Sequence, residues 1–179
     1  MKRYVLTFGI VVGTIIAGHM VYMVDQVCSN PDMETNDLVG YAAMVVVFSL
    51  IFFGIRNYRN KELSGIITFG KAFKTGALIA LLASTMYVVV WLFYYYLFVP
   101  EFMDIYTSHV LRDAAKNGAT EAALADKAKE MAEFTEMYKN PVLVVLLSYA
   151  EILPVGLVVA LISSLILKRK PTTSQPQPL

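Results

Sequence analysis

Glu151 and His19 are the residues whose types and placement could do chemistry. The chain carries four long apolar runs; Glu151 is the only acid within them and His19 the only imidazole. A carboxyl and an imidazole at similar depth in a membrane can pass a proton or hold a cation. A charged acid near a bilayer centre costs on the order of 3 kcal/mol on insertion scales, so it should face the protein interior and find a partner. Both residues lie in the half of their run nearest the same side, so they can meet. The relay reading stands beside a structural one, in which Glu151 is a polar clamp tied to His19 or to the nearby hydroxyl of Ser148. Glu151, His19 and Ser148 are therefore the candidate buried polar site. Pro154, three residues on, withholds a backbone donor and is expected to kink its helix.

Little else points to catalysis. His109 has no Cys or His near it in sequence, so a metal site has no support. Gly65, Gly70 and Gly76 follow no strand and match no phosphate-cradling loop. Cys28 is the only cysteine, which excludes an internal disulfide and leaves an intermolecular one open. A membrane enzyme would need acids, His or Ser clustered at an interface, and the inner face offers only Glu62. The sequence leans away from an enzyme, and nothing in it asks for a cofactor.

The elements that must position these residues are the apolar runs at 4–24, 38–55, 75–99 and 141–167. Each is close to or longer than the roughly 20 residues that cross roughly 30 Å of hydrocarbon as a helix. The expected fold is all-α: a polytopic membrane protein with four transmembrane helices in an antiparallel bundle. Lys2, Arg3, Arg56, Arg59, Lys61, Lys71, Lys74, Lys168, Arg169 and Lys170 fall in segments that alternate along the chain and so face one side. The opposite side holds Asp25, Asp32, Glu34 and Asp37, then eight acids against five bases between Glu101 and Lys139. Cationic segments stay on the cytoplasmic side, so both termini are expected there. The net charge of +1 hides this asymmetry. The basic face reads as topogenesis and contact with anionic lipid, not as a nucleic-acid surface. The first run is too long for the apolar core of a usual signal peptide, and no small-x-small cleavage site follows it, so it reads as an uncleaved helix.

Gly9, Gly13 and Ala17 repeat every four residues along the first helix. Small residues at that spacing let a second helix backbone come close, by default one from the same chain. Ile66, Phe69 and Phe73 fall at helical spacing before the third run, with Lys71 and Lys74 pointing elsewhere. A short amphipathic helix at headgroup level is expected there, its lysines reaching lipid phosphates. Trp91, Phe93, Tyr94, Tyr95, Tyr96 and Phe98 close the third run and read as an aromatic belt at the interface. Residues 100–140 form the one sizeable polar segment. Phe102, Ile105, Tyr106 and His109 make one stripe, and Leu124, Ala128, Met131, Thr135 and Tyr138 another. Asn117-Gly118 stops a helix, Thr120 caps the next, and Asn140-Pro141 ends the pattern. That predicts an external helical hairpin projecting outward. Residues 1–170 are one domain, and the Pro/Gln/Thr tail at 171–179 is expected to be disordered. Thr7-Phe8-Gly9 and Thr68-Phe69-Gly70 hint at two duplicated hairpins.

Several short motifs recur in an order that can be recognised: Phe52-Phe53-Gly54-Ile55 before Tyr58-Arg59, Phe69-Gly70-Lys71-Ala72-Phe73-Lys74, Trp91 with Tyr94-Tyr95-Tyr96, Met137-Tyr138-Lys139-Asn140-Pro141, and Glu151-Ile152-Leu153-Pro154-Val155-Gly156. Together they resemble a bacterial membrane-protein family catalogued as domain of unknown function 4199. The resemblance runs from the first helix to Lys170 and leaves the segment at 30–37 and the tail without a match. It implies a four-helix protein of the bacterial inner membrane and brings no reaction or substrate with it. The functional expectation is a non-enzymatic bundle that self-associates or assembles with another membrane protein in the lipid bilayer. The alternative is a small transporter or channel subunit using Glu151 and His19.

Overall fold

The computed structural model describes residues 1–30 and 37–169, and the acids Asp32 and Glu34, Lys170 and the tail lie outside the described residues. The described residues form helices joined by short turns, with no strand among them beyond one isolated bridge between Ile67 and Arg169. Its helices are α1 (Lys2–Ser29), α2 (Asp37–Phe48), α3 (Leu50–Glu62), α4 (Phe69–Leu97), α5 (Phe102–Lys116), α6 (Glu121–Tyr138) and α7 (Pro141–Leu167). Four stretches are long and apolar enough to cross a membrane: Lys2–Ser29, Leu38–Glu62, Phe69–Leu97 and Pro141–Leu167.

The second of these is broken at Ser49, between α2 and α3. There the Ser49 hydroxyl turns back to donate to the Val46 carbonyl at 2.6 Å, and the Ser49 amide is shared between the carbonyls of Val45 and Val46. A serine side chain that bonds its own backbone competes with the helix ladder, which is how a polar residue in an apolar run makes a break. The helix then continues past the expected end near 55 as far as Glu62, so Arg56, Arg59 and Lys61 ride on it. A left-handed pair, Ser64 (φ 50°) and Gly65 (φ 82°), ends it, with the Gly65 amide bonded to the Arg59 carbonyl.

No separate amphipathic helix precedes the third crossing. Ile66 and Ile67 lie outside helix, and α4 starts at Phe69, capped by the Thr68 hydroxyl. The reason is the position of that cap: Thr68 starts one helix that runs on through the whole apolar segment, so Phe69 and Phe73, whose rings stack, belong to its first turns. Lys71 and Lys74 are exposed there.

The α4 helix is the axis of the bundle, packing most closely with α1 on one side and α7 on the other, while α3 touches all three. Gly9 lies against Leu82 and Gly13 against Met86 and Ala83, an advance of four residues on each helix that makes α1 and α4 parallel. A methyl added at Gly9 would sit 2.6 Å from Leu82 Cδ2. On the other side Gly76 faces Ala160 and Gly156 faces Ala80, so α4 and α7 are antiparallel. Two stripes of small residues meet here, Ala72, Gly76, Ala80 and Ser84 on α4 with Gly156, Ala160 and Ser164 on α7, all buried. Small faces of this kind replace the hydrophobic drive that lipid removes. Gly70, the counterpart of Gly9 in the suspected duplication, has open space around it.

The end of the bundle that holds both described chain ends is tied by polar contacts. Arg59 donates to the Leu167 carbonyl at 3.2 Å, Tyr4 donates to Glu62 at 3.2 Å, and the Arg169 amide donates to the Ile67 carbonyl at 2.8 Å. A cation on the last carbonyls of α7 also suits the negative end of its dipole. At the other end α5 and α6 form the expected helical hairpin. Gly118 (φ 80°) turns the chain, the Thr120 hydroxyl caps α6, and Asn140 caps α7 ahead of Pro141. The hairpin is not a free arm: α5 packs on α1 and α6 on α7, because Met103, His109, Met131 and Tyr138 need cover.

Gly156→Ala should cost about 1–3 kcal/mol, because the new methyl would meet Ala80 Cβ at 2.9 Å and neither side can yield without moving a backbone. Gly18→Ala, with nothing within 4 Å, should leave stability unchanged. Thermal unfolding in detergent separates the two, and equal melting temperatures would mean that α4 and α7 are not held at this distance.

Candidate functional site

A cavity of about 490 Å³ occupies the hairpin end of the bundle. Residues of α1, α2, α4, α5, α6 and α7 line it, among them Ile16, His19, Tyr41, Tyr87, Trp91, Tyr106, Tyr138 and Glu151. The cavity follows from the sequence of α4. Below it, Ala72, Gly76, Ala80 and Ser84 let the neighbouring helices close in. Above, Tyr87, Trp91 and Tyr95 recur every four residues on the inner face and hold them apart.

The structure brings His19 and Glu151 to this one cavity, from α1 and α7, and leaves Ser148 out of it. Ser148 is buried and its hydroxyl donates to the Val144 carbonyl of its own helix at 2.8 Å. Glu151 does not hold the buried position expected of it. It is exposed, and His19 is half-buried, because both border open volume instead of packed side chains. The field of Glu151 reaches Tyr87 on α4 and Tyr138 on α6. Pro154 lies within α7, which continues through it, and cannot donate to the carbonyl of Ala150 beside Glu151.

The aromatic belt divides in two. Phe93, Tyr96 and Phe98 are exposed and Tyr94 half-buried, whereas Trp91 (5% exposed) and Tyr95 (8%) are core side chains. Continuous aromatics must surround a helix, and two of them fall on the face that α5 and α6 cover. Trp91 packs edge-on against Phe102 with ring centroids 5.2 Å apart, and Tyr95 against Tyr138 at 5.4 Å. The Tyr96 hydroxyl donates to the Tyr138 carbonyl at 3.2 Å, and the Tyr149 hydroxyl donates to Thr85 at 2.8 Å, tying α7 to α4. Burial pushes the Tyr138 phenol up to about 12; the negative field of Glu151 adds to this, and a hydrogen bond from the Trp91 side chain works against it.

The cavity's aromatic and methionine lining is what sequence reasoning missed. Tyr87, Trp91 and Tyr95 at a spacing of four were a legible signal of one inward stripe, hidden by the outward rings between them. Tyr41 and Met44 on α2 carried no such signal. Among the described residues no group of three or more His, Cys, Asp or Glu could hold a metal ion. His109 is buried on α5 and its Nδ1 lies 3.1 Å from the Arg112 guanidinium. Cys28 is a free, half-buried thiol near the end of α1. Asp113, Lys127 and Glu130 border a second hollow of about 500 Å³ between α5 and α6, which Glu151 does not line.

A phenol held above its ordinary value keeps its proton more tightly in the folded state. Tyr138 therefore contributes stability that is complete below about pH 10. That contribution is lost as the pH rises toward about 12. Tyr138→Phe should flatten the alkaline limb of melting temperature against pH, and an unaltered limb would show that the phenol is not held in this way.

No curated protein and no solved structure matches the chain. A family model does, over residues 3–169, nearly the whole of the described structure. The chain, with its four apolar spans and its cavity under a helical hairpin, belongs to the family described as Protein of unknown function (DUF4199).

Proposed function

We propose that this is a multi-pass protein of the bacterial inner membrane that works as a small transport or channel component, with Glu151 and His19 as its proton or cation site. The observation that carries this is the convergence of the two groups, from α1 and α7, on one cavity at one end of the bundle. An acid in a membrane span is retained at a cost and by default marks function. Ser148 serves the backbone of its own helix.

In this reading both termini are cytoplasmic, the hairpin α5–α6 is external, and Lys71 and Lys74 meet the headgroups of the inner leaflet. The fold supports it by gathering Lys2, Arg3, Arg56, Lys61, Lys71, Lys74, Lys168 and Arg169, all exposed, at the end opposite the hairpin. A second reading is a bundle that assembles with copies of itself or with another membrane protein. The span count favours it, since four spans are few for one half to rock against another. The Gly9–Gly13 face is not available for that contact, because α4 fills it.

Orientation is tested with a membrane-impermeant thiol reagent on cells with a permeabilised outer membrane. Ala122→Cys in a Cys28→Ser background, at an exposed position on α6, should be labelled without lysis of the inner membrane. Labelling only after lysis would falsify the orientation.

Function is tested in liposomes. Glu151→Gln keeps the shape but cannot titrate, so it should fold with the parent's melting temperature and lose pH-dependent ion flux. Parent protein with no flux beyond empty liposomes would remove the transport reading and leave assembly.

A further inference from the structure

We propose that the cavity under the hairpin binds an uncharged lipophilic molecule with a flat ring face, taken from the hydrocarbon of the bilayer past α2. The inference goes beyond the ion site at Glu151 and His19 and does not rest on it.

The wall sets the class of guest. At about 490 Å³ the cavity has the size of those that hold small organic molecules. Tyr87 and Trp91 on α4, Tyr41 on α2, Tyr106 on α5 and Tyr138 on α6 border it, and rings pack well on other rings, offset or edge-on. Met20, Met23, Met44 and Met103 add thioethers, which adapt to the outline of an apolar guest and lie well against aromatic edges. Glu151 has a partner within the protein, so recognition of the guest falls to these rings and thioethers.

Gly40 is an independent observation. It lies within α2 and lines the cavity, yet a methyl added there would meet nothing within 4 Å. Glycine weakens a helix interior, and no described neighbour needs this backbone bare. Gly76 and Gly156, by contrast, each seat a facing helix. Bare backbone beside open volume suits a guest that lies directly against it.

The route follows from how α2 is held. The hairpin covers one end of the cavity with Phe102, Tyr106 and Phe134. The side wall is weaker. Among the described residues of α2 only Phe48, its last, is buried, whereas α3 beyond the break buries Ile51, Gly54, Ile55 and Tyr58. Val39 and Tyr41 line the cavity and are still 57% and 46% exposed, so it opens along α2. At the break the Phe52 amide bonds the Ser49 carbonyl three residues back, the tighter spacing that marks hinges within helices. An element with so little buried surface opens at low cost. The α2 helix therefore yields about Ser49 while α3 stays clamped. It belongs to a membrane span, so what it yields to is hydrocarbon, and the guest must be soluble there.

The test uses the full chain in lipid nanodiscs. Trp91 is the only tryptophan, is buried and lines the cavity. The probe is bromonaphthalene, which is uncharged, flat and lipid-soluble, and whose bromine quenches an indole on contact. It should quench Trp91 along a saturable curve that unbrominated naphthalene reverses, while iodide in the water should not quench. Gly40→Phe puts a ring in the guest's place. Its affinity should fall about tenfold or more, with a melting temperature at or above the parent's because the helix loses a glycine. Tyr41→Leu, at an exposed position, should bind about threefold more weakly. Quenching that rises linearly, as for probe merely dissolved in the bilayer, or an unchanged affinity in either variant, would overturn the site. Quenching by iodide would overturn the route through the bilayer. Quenching by phosphatidylcholine with brominated chains that naphthalene does not relieve would assign the cavity to lipid tails and overturn the class of guest. None of these readings needs ion flux, so failure of the transport reading leaves the inference standing.

Discussion

The close approach of α4 to α1 and α7 is the constraint on which the rest depends. Helices in hydrocarbon gain nothing by hiding Leu from lipid, so the bundle must be held by contact at short range. Gly76 against Ala160 and Gly156 against Ala80 supply that contact on one side, and Gly9 and Gly13 against Leu82 and Met86 on the other. Thr75 and Ser164 along these faces donate to the carbonyls of Lys71 and Ala160 in their own helices, whereas the buried Ser84 hydroxyl has no hydrogen-bond partner among the described residues. Arg59 and Arg169 then close the same end through the Leu167 and Ile67 carbonyls.

The tight end generates the open one. Once the helices are clamped by small residues as far as Ser84, the rings of Tyr87, Trp91 and Tyr95 act as a wedge. The space that results is too wide for α1, α2 and α7 to fill, and the hairpin roofs it with Phe102, Tyr106, Phe134 and Tyr138. Glu151 therefore lies where the packing fails, which is where a carboxylate is least costly.

Much of this was legible in the residues. Length and hydropathy place a membrane span with no help from tertiary structure, and the hairpin follows from local turn chemistry at Asn117-Gly118, Thr120 and Asn140-Pro141. The stripes Phe102–His109 and Leu124–Tyr138 face inward in large part, with His109, Met131 and Tyr138 buried. What escaped depends on neighbours far along the chain. The break at Ser49 rests on which carbonyl one hydroxyl chose. The inward turn of Trp91 and Tyr95 depends on where α5 and α6 settle, and the identity of these rings is equally suited to lipid. The stripe on α4 went unread because alanines and serines in an apolar run look like filler until a facing stripe is known. Glu151 was expected in packed protein because an acid in a span needs shelter, and a cavity is shelter of another kind.

The parallel pairing of α1 with α4 also sets an order of events during synthesis. The N-terminal span emerges first, and domains mature in the order in which they are made. Its glycine face has no permanent occupant until the third span has been delivered, since Leu82 and Met86 are what fill Gly9 and Gly13. The intervening second span must therefore enter the bilayer without taking that place. A nascent chain stalled before α4 exposes a bare backbone groove to lipid and to every passing helix, which makes the third insertion the step that commits the protein to its shape.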